Sequence, residues 1–233
     1  MIYITGDMHG DYSRFHTPQI RKLKKGDTLI VTGDFGFLWD DSLEEQKILR
    51  NLGKKKFNIC FVDGAHENFK LLDKMEVSTW NGGKVHHFSG GLYHLMRGQI
   101  YNIEGKSIFT MGGGVSPDKD IRDESNPLNR PPSPQEFIEA AQNIESSGGK
   151  VDYIITHEPT MRIKNFLELR NPNVDEKTGL LNAFLEELSD NCEFKKWYFG
   201  SLHIDKPISK SMVSVFTRVL NAETSQSILH REG

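Results

Sequence analysis

The sequence predicts an α/β domain built on a largely parallel or mixed sheet, and three observations carry this. Short apolar runs rich in β-branched and aromatic residues recur along the chain, each ending at a glycine or an aspartate. Segments with helix-start signals lie between some of them. No repeat period and no linker divides the chain, so residues 1–233 read as a single domain.

The first run, "IYIT", ends at Gly6-Asp7. The next segment, "YSRFHTPQIRKLKK", is broken by Pro18, and only its C-terminal half suits a helix. "DTLIVTGD" is the second run and ends at Gly33-Asp34. "SLEEQKILRNLGKKK" opens with a capping box, Ser42 with Glu45 three residues on, and closes near Gly53, which predicts a helix. Lysines 54–56 at its end suit the helix dipole and need no nucleic-acid explanation. "FNICFVDG" is the third run, and "SIFTMGGG", "VDYIITHEP" and "KKWYFG" repeat the pattern later. "SPQEFIEAAQNIESS" has its own capping box, Ser133 with Glu136, and Pro134 at the first helical position. Residues 115–134, "VSPDKDIRDESNPLNRPPSP", are polar and proline-rich: either a surface excursion or a lid over a site.

Composition sets outer limits. Hydrophobic residues make up 36% of the 233 and charged residues 26%, as in a globular protein with a substantial core. A formal charge of −3 gives no general attraction to nucleic acid or to an anionic membrane. No apolar stretch approaches the ~20 residues of a membrane span. The opening "MIYITGDMHG" places no basic region ahead of an apolar one, so no signal peptide is expected. Cys60 and Cys192 are too few for a disulfide framework, and a cytoplasmic location is expected.

The chemistry sits at the ends of the runs. Asp7 and His9 follow the first, Asp34 the second, His66 the third, His157 a later one and His203 the last. Loops after the carboxyl ends of strands are where open α/β sheets bind ligands, so these six can converge. Any one aspartate after a glycine serves equally well as a turn cap. Taken together, carboxylates and imidazoles at six such positions suit Mn, Fe or Zn, because gathering their charge without a cation is costly.

In order and spacing, "GDMHG", "VTGDFG", "DGAHEN", "THEP" and "GSLHID" resemble the signature of the calcineurin-like metallophosphoesterases: Asp-x-His, Gly-Asp, Gly-Asn-His-Glu, a later His, and Gly-His-x-His. The likeness spans residues 5 to about 205. It is closest to bacterial and phage-borne stand-alone members whose second motif continues "GFLW", as Gly36 to Trp39 do here. The Asp-Arg-Gly of the protein-phosphatase branch is absent. The resemblance implies two mixed β-sheets packed as a sandwich with helices outside, a two-metal site at the sheet edge, and hydrolysis of a phosphate ester.

Carried over, the resemblance implies a first divalent transition metal held by Asp7, His9 and His203, with Asp34 bridging to a second. The second takes Asp34, His157 and two further positions, where this chain has Ala65 for the asparagine and Ser201 for the first histidine of the last motif. Neither is a good replacement ligand. The first site is therefore expected to be well formed and the second depleted. His66 takes the place of the leaving-group acid, beside Glu67, and Asn68 and Asp205 are further candidates to help the second metal. Arg97 and Arg122 are candidates for phosphate binding, with His94 close by. "MGGGV" has no Lys-Ser/Thr after it and is not a P-loop; a turn is expected there. His86, His87 and His230 have no motif around them.

Three readings follow. The leading one is a phosphoesterase acting on a phosphodiester or a phosphomonoester, with an impaired second site. The others are a catalytically silent binding or scaffold protein of the same fold, and an inactivated variant of an active enzyme.

Overall fold

The computed structural model describes residues 1–114, 130–167 and 176–228. Positions 115–129, which include Arg122 and most of the proline-rich stretch, and His230 lie outside the described residues. The first sheet is entered by β1 (Ile2–Thr5), β2 (Thr28–Val31), β3 (Asn58–Phe61), β4 (Val77–Trp80), β5 (Gly83–Ser89) and β6 (Leu92–Leu95). The second takes β7 (Gln99–Ile103), β8 (Lys106–Met111), β9 (Lys150–Thr156), β10 (Glu193–Phe199), β11 (Lys206–Pro207) and β12 (Met212–Ser214). β13 (Leu220–Asn221) then returns to the edge of the first. The orders are β13-β1-β2-β3-β6-β5-β4 and β11-β12-β10-β9-β8-β7, and both sheets are mixed.

Residue parity along the strands explains the layering. Side chains alternate between faces, so Ile2, Ile4, Ile30, Cys60 and Val62 point one way, into a core with Ile108, Tyr153, Ile155, Tyr198 and Val213 of the other sheet. Tyr3, Leu29, Val31, Ile59 and Phe61 point the other way, against Phe15, Leu49, Leu52 and Phe69. Phe109, Ile154, Trp197 and Phe199 do the same on the far side, against Ala140, Leu181, Leu185 and Leu188. The central strands are buried on both faces, which is why they read as unbroken apolar runs. The two-sheet sandwich with helices outside, expected from sequence, is the observed fold.

The helices are α1 (Pro18–Arg21), α2 (Leu43–Gly53), α3 (Phe69–Leu72), α4 (Pro134–Ser146), α5 (Met161–Leu167) and α6 (Glu176–Asn191). Pro18 starts a helix rather than breaking one, because a first-turn residue needs no backbone donor; a 3₁₀ turn, Tyr12–His16, precedes it. The capping box of α4 is complete: Glu136 N donates to Ser133 Oγ and Ser133 N to the Glu136 carboxylate, 2.7 Å away. That of α2 is only half made. Ser42 Oγ accepts from Glu45 N, but the Glu45 carboxylate turns to the backbone of Trp39 and Asp41, fixing the loop that follows Asp34.

β1, β2 and β3 are parallel in register, Ile4 opposite Ile30 and Ile30 opposite Cys60, so their carboxyl ends emerge along one edge. β8, β9 and β10 are parallel too. The loops that leave β1, β2, β9 and β10 meet there, and the candidate site lies among them.

Candidate metal centre

Four side chains form its heart. One ligand atom from each of Asp7, His9, Asp34 and His203 lies within 4.8 Å of the others. His9 Nε2 is 3.1 Å from His203 Nε2, although the two residues are 194 positions apart. His203 Nε2 is 3.0 Å from Asp7 Oδ2, and His9 Nε2 is 3.9 Å from Asp34 Oδ2. Both carboxylates are buried, Asp7 completely. Beyond this close approach of the His203 ring, neither oxygen of Asp7 has a hydrogen-bond donor among the described residues. A buried carboxylate in that state is costly unless a cation completes its shell. Two imidazole nitrogens turned toward each other beside it complete a donor set that suits a divalent transition metal.

The backbone is strained where these side chains sit. His9, Asp34 and His203 have φ of 47°, 43° and 50°, in the left-handed region. Asp and His enter it more readily than branched residues, and such strain accumulates at functional sites. The neighbouring glycines make room. A Cβ on Gly200 would lie 2.1 Å from Asp7 Oδ1, and one on Gly33, itself at φ 119°, 2.1 Å from His157 Nδ1.

Asp34 is the hub. Its Oδ1 accepts from His66 N at 2.8 Å and its Oδ2 is 2.7 Å from His66 Nδ1, so that nitrogen carries a proton donated to the carboxylate. His157 Nε2 lies 3.7 Å from Asp34 Oδ1. His157 Nδ1 is 3.7 Å from Asp7 Oδ1 and donates to Thr32 O at 3.2 Å. Burial opposes a charge on either member. It is outweighed at Asp34, which His157 and the His66 hydrogen bonds hold well below the usual carboxylate range. It is outweighed at His157 too, raised to about 9 by Asp34 and Asp7. His203 is raised by its hydrogen bond to Asp7 against the pull of burial, whereas burial lowers His9 despite Asp34 and Asp7.

The raised pKa values of His203 and His157 favour protons that a cation binding there would have to displace. Cation uptake is expected to release protons, and affinity to fall as pH falls through the raised pKa values of His203 and His157. Titration calorimetry in buffers of differing ionisation enthalpy measures the release; a buffer-independent heat would contradict it.

All six residues predicted from sequence (Asp7, His9, Asp34, His66, His157, His203) come together in this structure. Ala65 is buried between Gly64 and His66, and Ser201 N donates to His157 O at 3.0 Å. Asn68 and Asp205 are engaged elsewhere: Asn68 caps α3 and donates to Trp39 O, and Asp205 accepts from the backbone of Phe216, Thr217 and Arg218. Arg97 is 5% exposed and forks onto Asp63 Oδ2, with Nε at 2.8 Å and Nη2 at 2.6 Å. His94 binds the other Asp63 oxygen at 3.1 Å and stacks beside His86. Asp63 and Glu67 are residues to which the sequence reading gives no role. The Asp63 carbonyl accepts from Gly113 N, and the Glu67 carboxylate accepts from Phe35 N at 2.6 Å and from Gly36 N, holding the chain just after Asp34. Burial, helped by the nearby Asp34 charge, pushes Glu67 well above the usual range.

Two sheets carrying carboxylates and histidines to a shared edge define the class: an α/β metallophosphoesterase fold with a candidate metal site. The chain belongs to the calcineurin-like phosphoesterase family, whose model matches residues 1–190. No curated protein sequence matches it. Among solved structures, a putative 5'-nucleotidase from Staphylococcus aureus, in complex with alpha-ketoglutarate, is 14% identical, with a TM-score of 0.49 over 94% of this chain and 50% of the nucleotidase. A protein of unknown function from Aquifex aeolicus is 17% identical, with a TM-score of 0.38 over 83% of this chain and 87% of its own. No described helix is long and apolar enough to cross a membrane.

Proposed function

We propose that this protein is a metal-dependent phosphoesterase, acting on a phosphomonoester or phosphodiester, with a complete first metal site and a depleted second. The observation that carries the reading is the convergence of Asp7, His9, Asp34 and His203 around a buried carboxylate, Asp7, that has no donor beyond the His203 ring among the described residues. A divalent cation bound there supplies Lewis acidity, polarising a phosphoryl oxygen and acidifying a water. The chain's own residues do the rest. Asp34 fixes the His66 ring through Nδ1 and the backbone N–H, which assigns proton exchange with the leaving group to Nε2. Buried Glu67 holds Phe35 and Gly36, and so holds Asp34 in place. Arg97, committed to Asp63, would act on phosphate only indirectly, through the Gly112–Gly114 turn beside it.

A silent binding protein of the same fold is the second reading, and Ala65 and Ser201 favour it, since both fall on the second site. One experiment separates the two: elemental analysis of protein purified without chelator, together with hydrolysis of an aryl phosphodiester and an aryl phosphomonoester in added manganese. About one tightly held transition metal per chain and measurable hydrolysis are expected. His66→Ala should keep the metal and lose roughly 10²–10⁴-fold in rate on a substrate with a poor leaving group. Two dialysis-resistant metals would refute the depleted second site; no hydrolysis with a metal bound would favour the binding protein.

A further inference from the structure

His9 and His203 meet from opposite ends of the chain on strained loops, and their approach needs an agent that ties those loops together. Arg14, in the 3₁₀ turn after β1, reaches both. Its Nη1 donates to the Asp7 carbonyl, and its Nη2 donates to Thr5 Oγ1 at 3.0 Å and to the Phe216 carbonyl at 2.6 Å. The same Phe216 carbonyl accepts from Gly6 N at 3.0 Å. The Phe216 ring stacks on the His203 ring, with centroids 4.8 Å apart and planes at 19°, and the Arg14 guanidinium lies 5.7 Å from the Phe216 centroid. Asp205, two residues past His203, closes the circuit by accepting from Phe216 N at 2.8 Å and Thr217 N at 3.0 Å.

We infer that Arg14 is a positioning residue for the first metal site, acting through Phe216 to set the His203 ring against the Asp7–His9 loop. This rests on the metal-site reading above. A guanidinium is required because three acceptors, one at the end of β1 and two on loops, must be met at once by a planar fork; an ammonium is a single point of charge and cannot hold that geometry. Outer contacts of this kind, which orient a ligand without touching the metal, characteristically govern metal affinity.

The test is Mn²⁺ affinity, measured on full-length protein by calorimetry or by competition with a chelator. Arg14→Ala and Arg14→Lys are each expected to weaken Mn²⁺ binding by about 10- to 100-fold. Phe216→Leu, which removes the stacked ring, should do likewise. Because the two residues act in one circuit, the Arg14→Lys/Phe216→Leu double variant should bind little worse than the weaker single. Leu185→Ala, which opens the remote core under α6, controls for general destabilisation and should leave Mn²⁺ affinity unchanged. If Arg14→Ala fails to fold, the lysine and leucine variants and their double carry the test. Wild-type affinity in Arg14→Lys, or fully additive losses in the double variant, would overturn the inference. A wild-type protein that takes up no Mn²⁺ would overturn the metal-site reading itself, and this inference with it.

Discussion

On the proposed two-metal reading, replacing both departures from the family motifs, Ala65→Asn with Ser201→His, is expected to raise phosphoesterase activity on the order of 10²–10³-fold, the scale on which one preorganised charge contact to the transition state acts. Either change alone should do far less. Asp34 and His157 already stand 3.7 Å apart on the second side of the hub, yet two protein ligands are a poor hold for a cation, and three still leave its shell open. Residues that serve as a unit are strongly non-additive. The buried setting of Ala65 sharpens the expectation. An amide placed there must find a partner or cost about 1–3 kcal/mol as a buried unsatisfied group. Ala65→Asn should therefore lower the thermal midpoint without metal, and the double variant should recover it on adding manganese. Assays at saturating manganese on the parent, both singles and the double measure the rate effect. A double variant that binds two metals and hydrolyses nothing would hand the case to the binding protein.

Gly200→Ala is expected to abolish metal uptake while leaving most of the fold standing. The added methyl would lie 2.1 Å from Asp7 Oδ1 and 2.5 Å from Thr32 Oγ1, distances no real contact shows. Asp7 is fully buried at the end of β1 and has nowhere to retreat except out of the metal centre. The control is Gly179→Ala within α6, where a Cβ meets nothing within 4 Å. It should raise stability by up to about 1 kcal/mol through better helix propensity and leave uptake unchanged. Equilibrium dialysis with elemental analysis, beside thermal unfolding, reads both. Full metal content in Gly200→Ala would show that Asp7 is not a necessary ligand.

The sequence made some of this legible and not the rest. Capping signals located α2 and α4, and continuous apolar runs located the central strands, because caps and double burial write themselves into neighbouring residues. β4 left no such mark: Val77, Ser78 and Thr79 are all exposed at a sheet edge. α6 buries Leu181, Leu185 and Leu188 at helical spacing, but Gly179 sits inside it and no capping box announces it.

By itself the sequence determined which strand ends carry the candidate site residues, Asp7, His9, Asp34, His66, His157 and His203, since each follows a strand it predicts and the order of motifs resembles a family. It also marked where this chain departs from the motifs of that family, at Ala65 and Ser201. Only the tertiary structure decided which polar group each side chain serves. Arg97 goes to Asp63, Asn68 to Trp39 and Asp205 to the Phe216 turn, while Arg14, at a position no motif marks, binds the chain on either side of the candidate metal centre. The physical reason is range. Strand and helix signals are carried by residues within a few positions of one another, whereas a buried charge is satisfied by whatever the register of two sheets sets beside it.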